Sequence, residues 1–479
     1  MPKPNTLRTR NREHLRTLKQ KNKMRKTLSF AITFGLILLS CKKEKIVIVK
    51  EYVYPTTVSK DTAISGIWDG GGKILRINNS MISANKGGAI LQNWVIDGPL
   101  TQQIFDTGLQ IKNCKTYGQY FSIAWFGAKA SKNDNWAEIQ KTIDVVMANN
   151  LYLWIPEGGY KVSKQLNVES MYQGKYVGCN IKMAGEYKFW PANNTGSRII
   201  SSVESGSAIN FQNNKGSSVD GIFFQGTSWK VPTGPDEQYF ALTATTFKDQ
   251  SGKNIKNAGI SVDGKWDGSS IGGSTGIIFT NIGVSDFETL IQFSPTGKTA
   301  NCEDMVIRDC KFGNGKWGFD NGNPQEKNNL LQHVVCWSRL YCFFRNGYGG
   351  KQGAGEYTLR NCSVAGHVIR PFEINGSGWS STYIVDFQAE SIRDIGFIYG
   401  KFPITIQQSN FKFNLNPTLR KQLKFIGDGY NSVKFRDCTF GFNNGTFDSV
   451  FVKYNLTPEI NNFENCRSFD NDKFFYKNN

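Results

Sequence analysis

The chain has 479 residues, with 57 Lys and Arg against 39 Asp and Glu, and 13% of its residues are aromatic. This aromatic content supplies enough apolar surface for a large core, which excludes a chain that is disordered as a whole. The formal net charge is +18, and removing residues 1–40 takes away ten positive charges and one negative charge, leaving +9. The remaining charge fits an anionic partner. It is spread along the chain without an Arg-rich helix or a nucleic-acid motif, so we expect no nucleic-acid binding.

The N-terminus has the pattern of an export signal. Residues 1–26 carry ten Lys or Arg, and the apolar run 28–39 and Ser40-Cys41 follow. Twelve apolar residues are too few to span a hydrocarbon core of about 30 Å, which argues against a transmembrane anchor. Leu38-Leu39-Ser40-Cys41 resembles the lipobox of bacterial lipoproteins, which implies lipid attachment at Cys41.

We therefore predict a signal peptide over residues 1–40, with Met24 as an alternative start, and a lipidated Cys41 with a tether over 41–60. This predicts a lipid-anchored protein of the bacterial cell envelope, at the outer membrane or the periplasmic face. Nine further cysteines remain, but there is no Cys-x-x-Cys pair and the chain has only three His. We therefore predict no metal ligands of the zinc or iron–sulfur type.

A short phrase recurs through the C-terminal half of the chain: usually an apolar residue, any residue, a polar residue and an apolar residue. The polar positions are Asn281, Asp309, His333, Asn361, Asp386, Asn410, Asp437 and Asn465, at intervals of 28, 24, 28, 25, 24, 27 and 28 residues. A period of about 26 residues with alternating apolar positions predicts a solenoid with three short strands per coil. Stacked coils superimpose equivalent residues, so we interpret the polar residues as turn residues. By the same reasoning, we interpret four cysteines as small apolar residues that stack inside the solenoid: Cys310, Cys362, Cys438 and Cys466.

Residues 121–163 carry a second, independent pattern. Phe126-Gly127-Ala128-Lys129, Ile139-Gln140 and the segment 153–160 resemble the entry segment of the pectate-lyase-like superfamily. The resemblance implies an all-β, single-stranded, right-handed parallel β-helix over 121–479. Short alternating strands in residues 71–114 predict a β-rich coil or cap over 61–120 before it. The resemblance also implies a carbohydrate-active protein, whose relatives are mainly polysaccharide lyases and glycoside hydrolases, with phage tailspikes and non-catalytic proteins beside them.

Two segments depart from the repeat. Residues 136–147 place apolar side chains on one helical face, with Asn135 and Glu138 at capping-box spacing and Asp134 at the start. We expect a short α-helix there that caps the end of the solenoid. Residues 229–275 break the period and are long enough to form a loop over the coil surface, where binding faces of solenoids lie.

The repeat also predicts which candidate site residues occupy equivalent positions on neighbouring coils. Relative to the turn residue of their own coils, Lys316, Arg339 and His367 lie six or seven positions later, and Asp320, Arg345 and Glu373 lie eleven or twelve positions later. We predict that these six side chains form a charged patch on neighbouring coils. The predicted catalytic residues are His367, Glu373, Asp320 and Arg339, and the predicted substrate-binding residues are Lys316, Arg345, Trp337, Tyr348 and Trp379. The alternative is that they form a solvated outer face.

The sequence thus predicts an exported, lipid-anchored β-helix protein that binds a polysaccharide, most simply an acidic one, and cleaves it as a lyase or a glycoside hydrolase. The signature residues of polygalacturonases and of calcium-dependent pectate lyases are missing, so neither activity is transferred and a calcium requirement stays open. The alternatives are a non-catalytic glycan-binding or structural protein of the envelope and a trimeric adhesin like a tailspike, with the chain a monomer or a trimer.

Overall fold

The structure is a computed structural model that describes residues 55–172, 175–187, 195–264, 273–293, 302–322, 326–347, 355–376, 381–400, 403–413, 433–442 and 463–468. The predicted signal peptide, Cys41 and most of the predicted tether lie outside the described residues, as do Tyr348 and Trp379. Among the helices that the structure describes, none is long and apolar enough to cross a membrane.

The first seven strands form two small parallel sheets, with orders β1-β3-β5-β7 and β2-β4-β6. They are β1 Thr56–Val58, β2 Thr62–Asp69, β3 Ile74–Ile77, β4 Ile82–Gln92, β5 Val95–Asp97, β6 Leu109–Lys112 and β7 Lys115–Thr116. Three helical segments interrupt the strands of the described chain: a 3-10 helix at Ile123–Phe126, α1 at Trp136–Asn149 and α2 at Asp236–Phe240.

The remaining described strands build the solenoid, except β12 and β13, which pair with each other as an antiparallel hairpin. They are β8 Tyr120–Ser122, β9 Tyr152–Ile155, β10 Gly158–Val162, β11 Leu166–Val168, β12 Ser170–Tyr172, β13 Lys175–Val177, β14 Lys182–Gly185, β15 Ser197–Ser201, β16 Ser205–Gln212, β17 Ser218–Asp220, β18 Phe223–Gly226, β19 Lys256–Asp263, β20 Ser274–Thr275, β21 Ile278–Thr280, β22 Gly283–Ser285, β23 Phe287–Phe293, β24 Cys302–Glu303, β25 Val306–Phe312, β26 Gly315–Asn321, β27 Glu326–Cys336, β28 Leu340–Asn346, β29 Gly355–Arg360, β30 Ser363–Val364, β31 Val368–Gly376, β32 Thr382–Val385, β33 Gln388–Ile392, β34 Gly396–Gly400, β35 Ile404–Gln407, β36 Asn410–Phe413, β37 Val433–Arg436, β38 Thr439–Phe442, β39 Phe463–Glu464 and β40 Arg467–Ser468.

Successive coils pair in parallel, residue for equivalent residue. One continuous ladder of paired positions runs through seven coils: Ile307, Leu331, Leu359, Ile384, Ile406, Phe435 and Phe463. The first six of these side chains are buried. One large sheet of 21 strands contains this ladder, and a second sheet of eight strands has the order β11-β16-β19-β23-β26-β28-β31-β34. The predicted fold class, an all-β parallel β-helix, is confirmed by this register.

The repeated polar residue occupies the left-handed region at a turn between two strands. Asn281, Asp309 and His333 have φ angles of 50°, 55° and 51°, and the equivalent residues of the later coils are similar. One prediction was wrong by two residues: Gln408, at φ 52°, makes the turn in the sixth repeat, whereas Asn410 begins β36. Asn and Asp tolerate left-handed backbone better than Gln, so the residue type pointed to the wrong position.

The residue after each turn points into the solenoid. Cys310, Cys362, Cys438 and Cys466 occupy this position in four coils and are at most 2% exposed. Their thiols donate to backbone carbonyls, as Cys310 Sγ does to Arg308 O at 3.1 Å. The interpretation of these cysteines as small rungs of an internal ladder is confirmed.

Helix α1 caps the edge of the eight-stranded sheet at β11, as the sequence predicted, and its other side contacts β6. On one side, Asn149 Oδ1 accepts from Cys114 N at 2.9 Å, and Asn149 Nδ2 donates to Ile111 O at 3.2 Å. On the other side, Gln140 bonds the backbone of Asn167. Residues 56–116 already form parallel coils of their own, so the helix fills a gap between two sheets.

The helix begins differently from the predicted capping box. Asn135 Oδ1 accepts from Lys129 N at 2.7 Å instead of a helical N–H, and Glu138 pairs with Lys132. Asp134 Oδ1 accepts from Trp136 N at 3.1 Å, which confirms Asp134 as a helix-start residue. Its other oxygen accepts from Ser163 Oγ at 2.6 Å and ties the helix to β10.

The predicted overhanging loop is confirmed for residues 227–255, here called the insertion, whereas Lys256–Asp263 forms strand β19. The insertion has its own apolar cluster against the outer face of the eight-stranded sheet. The cluster joins Trp229, Tyr239, Phe240, Phe247 and Ile255 of the insertion to Trp317, Tyr341, Cys342 and Ile369 of the sheet. A segment with this much buried aromatic surface is a packed part of the molecule.

Candidate functional site

A row of polar residues crosses the outer face of the eight-stranded sheet. Strand register aligns them coil by coil: Asn210, Ser261, Gln292, Asp320, Arg345 and Glu373. The sequence predicted the last three of these as neighbours, and the structure brings them together. The row continues into earlier coils through residues that the prediction did not include.

A bend in each strand turns several side chains toward the same side. In β28, Phe343 and Phe344 both lie in the solenoid core, while Tyr341 and Cys342 contact the insertion. Arg345, three residues after Cys342, faces the same outer side and places its guanidinium 3.8 Å from the centre of the Trp317 ring. The bend therefore gathers residues from two parts of each strand at one outer surface.

Asp320 is held in a two-pronged ion pair. Arg345 Nε donates to Asp320 Oδ1 at 2.8 Å, and Arg345 Nη2 donates to Asp320 Oδ2 at 2.7 Å. Asp320 is only 5% exposed. Both carboxylate oxygens are thus engaged by one guanidinium, which is the strong form of such a pair.

Glu373 is part of a second buried ion network. Its Oε1 accepts from Arg370 Nη1 at 3.0 Å, and Arg370 Nη2 also donates to Asp394 Oδ2 at 3.0 Å. Burial raises the pKa of Glu373, while Arg370 and Arg345 oppose that shift. The predicted acid pair Asp320 and Glu373 is therefore bound by arginines in this structure, and its catalytic role stays a prediction.

Arg339 and His367 lie under the insertion. Arg339 Nη1 donates to Pro232 O at 2.9 Å and Nη2 to Gly234 O at 3.4 Å. His367 Nε2 lies 2.7 Å from Asp236 Oδ1. Both residues hold the insertion on the sheet, and their catalytic role stays a prediction.

Two more predicted residues lie away from this pair. Gly315 pairs with Leu340, so Lys316 lies on the coil next to that of Arg339, two positions beyond its level. The number of residues from the turn does not reveal an offset of one or two positions between neighbouring strands, because the strands differ in length before the bend. Trp337, 39% exposed, follows β27, with the Lys311 ammonium 5.5 Å from its ring centre.

A cleft of about 390 Å³ opens beside the insertion, over β16, β19 and β23. Its lining is dominated by amide, hydroxyl and charged groups, including Asn210, Lys256, Ser261, Glu288, Thr289 and Gln292. Gln292 Nε2 donates to Ser261 Oγ at 2.6 Å across the floor. A concave surface of this chemistry can make many hydrogen bonds to a polar ligand.

Glu288 is the functional candidate that the sequence reasoning missed. Burial raises the pKa of its carboxyl, with Lys316 and Lys256 opposing the shift. Among the described residues its carboxylate has no hydrogen-bond or ion-pair partner, while its backbone N–H donates to Asn257 Oδ1 at 3.0 Å. The signal was present, since Glu288 lies seven residues after Asn281, the same offset that separates Lys316 from Asp309.

Lys316 is the neighbour of Glu288 on the next strand, since Phe287 pairs with Gly315 and Thr289 with Trp317. Burial lowers the pKa of Lys316; Arg345 and Lys248 of the insertion act in the same direction, and Glu288 opposes them. Each shift favours the uncharged form of its group. Such a pair can accept a proton at one group and donate one from the other.

A larger recess of about 520 Å³ lies elsewhere, beside the turns that follow β17 and β21. It is lined in part by Glu157, Glu186 and Asp220, and Asn281 Nδ2 donates to Asp220 Oδ1 at 3.0 Å. Over the described part of the chain, no group of three or more His, Cys, Asp or Glu side chains is arranged to hold a metal ion.

No protein-family model and no curated protein sequence matches this chain. Among solved structures, the chain is similar to DFA-IIIase from Arthrobacter chlorophenolicus A6 without its lid, at 9% identity and a TM-score of 0.40, covering 73% of this chain and 94% of that one. It is also similar to the A-module of the Azotobacter vinelandii mannuronan C-5 epimerase AlgE6, at 10% identity and a TM-score of 0.38, covering 73% and 99%.

A third similar structure is the catalytic unit of a thermostable GH87 alpha-1,3-glucanase from Streptomyces thermodiastaticus strain HF3-3. Its identity is 11% and its TM-score 0.33, covering 73% of this chain and 69% of that one. Similarity at this level says nothing about activity. The β-helix itself is established by the strand register of this chain.

Proposed function

We propose that this protein binds an acidic polysaccharide in the cleft beside the insertion and cleaves it by β-elimination. The observation that carries the proposal is the pair Glu288 and Lys316, an acid of raised pKa beside an amine of lowered pKa at the edge of that cleft. Neighbouring groups with pKa values shifted toward each other suit proton transfer near neutral pH.

The proposed reaction needs one base, one acid and positive charge. Neutral Lys316 takes the proton from C5 of a uronate, next to its carboxylate. As the C5–H electrons form the C4–C5 double bond, the bond from C4 to the leaving oxygen breaks, and protonated Glu288 gives that oxygen its proton. The chain is cleaved without water, and the pair ends with its proton on Lys316.

The charges around the cleft support an anionic substrate. Lys256 lines the cleft, and Lys248 of the insertion acts on Lys316 from above the sheet. Neither lysine forms an ion pair among the described residues. Ammonium groups free of carboxylate partners would attract a sugar carboxylate and stabilise the charge that develops when C5 loses its proton.

Hydrolysis is less well supported by the same surface. A glycosidase needs two carboxyl groups free to act on the glycosidic bond and on water or the sugar. Asp320 has both oxygens on Arg345, and Glu373 is bonded to Arg370. The second candidate function is glycan binding without cleavage, which the missing signature motifs of characterised lyases favour.

Export and lipid attachment belong to this proposal as well. The support is the basic segment, the apolar run and the lipobox-like Leu38-Leu39-Ser40-Cys41. Metabolic labelling with a fatty acid in a bacterial host should mark the wild-type chain and leave Cys41→Ala unlabelled. Equal labelling of the two chains would contradict attachment at Cys41.

The activity is tested with the full-length protein in mild detergent and a panel of acidic and neutral polysaccharides. Ultraviolet absorbance of the new double bond and reducing ends are followed together. We expect both to rise on an acidic glycan, and to fall at least about 100-fold in Glu288→Gln. Glu390→Gln is the matched control. The carboxylate of Glu390 is exposed, and its ion pair with Lys412 Nζ is long, at 3.9 Å.

Three outcomes distinguish elimination from the alternative functions. Reducing ends without absorbance would replace elimination by hydrolysis. Binding to a glycan array without formation of products would favour glycan binding without cleavage. Activity that survives Glu288→Gln would remove the proposed pair while leaving the substrate class standing.

A further inference from the structure

The last two described coils carry a pair of stacked cysteines. Arg436 pairs with Glu464 on one side of the turn, and Thr439 pairs with Arg467 on the other side. The offset is 28 residues on both sides, so Cys438 and Cys466 lie directly above one another. The backbone confirms this, because Arg467 N donates to Cys438 O at 2.9 Å.

Both thiols point inward from the same local conformation. The preceding residues, Asp437 and Asn465, have φ angles of 51° and 52°. Cys438 is 1% exposed and Cys466 is 2% exposed. Contact between the two thiols lowers the pKa of Cys466 and raises that of Cys438, so one of the pair is the better thiolate.

The spacing suits a covalent bond. Equivalent residues on neighbouring parallel strands lie about 4.8 Å apart, within the Cα separation of about 4.4–6.8 Å found across disulfides. A natural comparison exists in the same ladder. Cys310 and Cys362 have Val334 between them, which places them two coils, or about 10 Å, apart and out of reach.

We propose that Cys438 and Cys466 form a disulfide that links the last two described coils. The Cys466 thiolate attacks an external disulfide, of a thiol oxidant protein or oxidised glutathione, and releases one thiol of it. The Cys438 thiolate then attacks the mixed disulfide and releases the second thiol. The two cysteines lose two electrons and two protons, and the external disulfide is reduced to two thiols.

The function of such a bond follows from its position. Each coil of a solenoid is held only by its immediate neighbours, so adjacent coils can open apart locally. A covalent link between the last two described coils opposes that opening. This inference rests on the strand register alone and is independent of the proposed activity.

The experiment uses the full-length protein incubated with oxidised or reduced glutathione, quenched with acid, unfolded and alkylated. Peptide mass spectrometry should find a Cys438–Cys466 cross-linked pair after oxidation, with both cysteines alkylated after reduction. Cys310 and Cys362 should be alkylated in both samples. Cys438→Ser should leave Cys466 free to be alkylated, whereas Cys310→Ser should keep the cross-link.

Each alternative result is decisive. Full alkylation of Cys438 and Cys466 after oxidation would overturn the proposal, as would a cross-link from either of them to another cysteine. Circular dichroism of Cys438→Ser serves as the folding check, and intact mass of the oxidised wild-type chain, which needs no variant, should fall by two hydrogens relative to the reduced chain.

Discussion

The side-chain amide of Gln140 makes two hydrogen bonds with the backbone of Asn167. Gln140 Oε1 accepts from Asn167 N at 2.8 Å, and Gln140 Nε2 donates to Asn167 O at 2.9 Å. These are the two bonds that a neighbouring strand would provide at the edge of the eight-stranded sheet. A single helical side chain thus satisfies a sheet edge that would otherwise expose its backbone groups to other chains.

Replacing Gln140 by Leu should destabilise the protein by about 1–3 kcal/mol, because the N–H and the carbonyl of Asn167 lose their partners. Chemical unfolding measures the change. Gln110→Leu is the matched control, since Gln110 is exposed on β6 and should change stability by less than about 0.5 kcal/mol. Equal effects of the two substitutions would refute the role of Gln140 at the sheet edge.

Arg339→Met should loosen the insertion, because the two carbonyls at Pro232 and Gly234 lose their cationic donor. Hydrogen exchange should become faster in residues 230–247, with β26 and β28 unchanged. Arg308→Met, at an exposed ion pair with Asp309, should leave the exchange of the insertion as it is. If Arg339→Met abolishes activity with no change in exchange, the catalytic role predicted from the sequence would be favoured instead.

Glu288→Gln should alter stability in a pH-dependent way. The folded pKa of Glu288 is raised, so its protonated form is favoured in the folded state. The stabilisation that the protonated carboxyl gives the folded state is complete below the pKa of glutamate in the unfolded chain, about 4.3. It is lost as the pH rises through the pKa of Glu288 in the folded state. The variant should therefore gain stability relative to wild type between pH 4 and pH 7.5 in chemical unfolding. A constant difference would mean that Glu288 titrates normally.

Gly396→Ala should be among the most damaging single substitutions in the described chain. Gly396 has a φ angle of 114°, and a Cβ there would lie 1.7 Å from Phe372 O. Backbone at this distance cannot yield without separating β31 from β34, so a loss of more than about 3 kcal/mol is expected. Gly71→Ala has a φ angle of 56° but open space around its Cβ, and should cost about 1 kcal/mol. Melting temperatures in the reverse order would contradict this account.

Much of the fold could be predicted from the sequence, because a solenoid repeats one local pattern. The turn residues Asn281 and Asp309 and the inward residue Cys310 each follow from positions a few residues away. The prediction failed at Gln408, where residue type and position disagreed, and it did not include the contacts of helix α1 with the coils formed by residues 56–116.

The site was only partly predictable. Spacing from the turn placed Asp320, Arg345 and Glu373 on one row, because register carries over from coil to coil. It did not show that Arg345 occupies both oxygens of Asp320, or that Arg339 and His367 hold the insertion. Those are contacts between segments that are far apart in the chain, and the spacing of the repeat does not predict them.

The sequence by itself determined the coil, its turn and its internal ladder, because parallel stacking makes each of these a repeated local feature. Only the tertiary structure decided which charged groups are paired and which are free. The docked insertion and the bend of the strands leave the carboxyl of Glu288 beside Lys316 without a bonded partner among the described residues. Burial and charge are set by everything that packs around a group, so they follow from the folded arrangement and not from spacing along the chain.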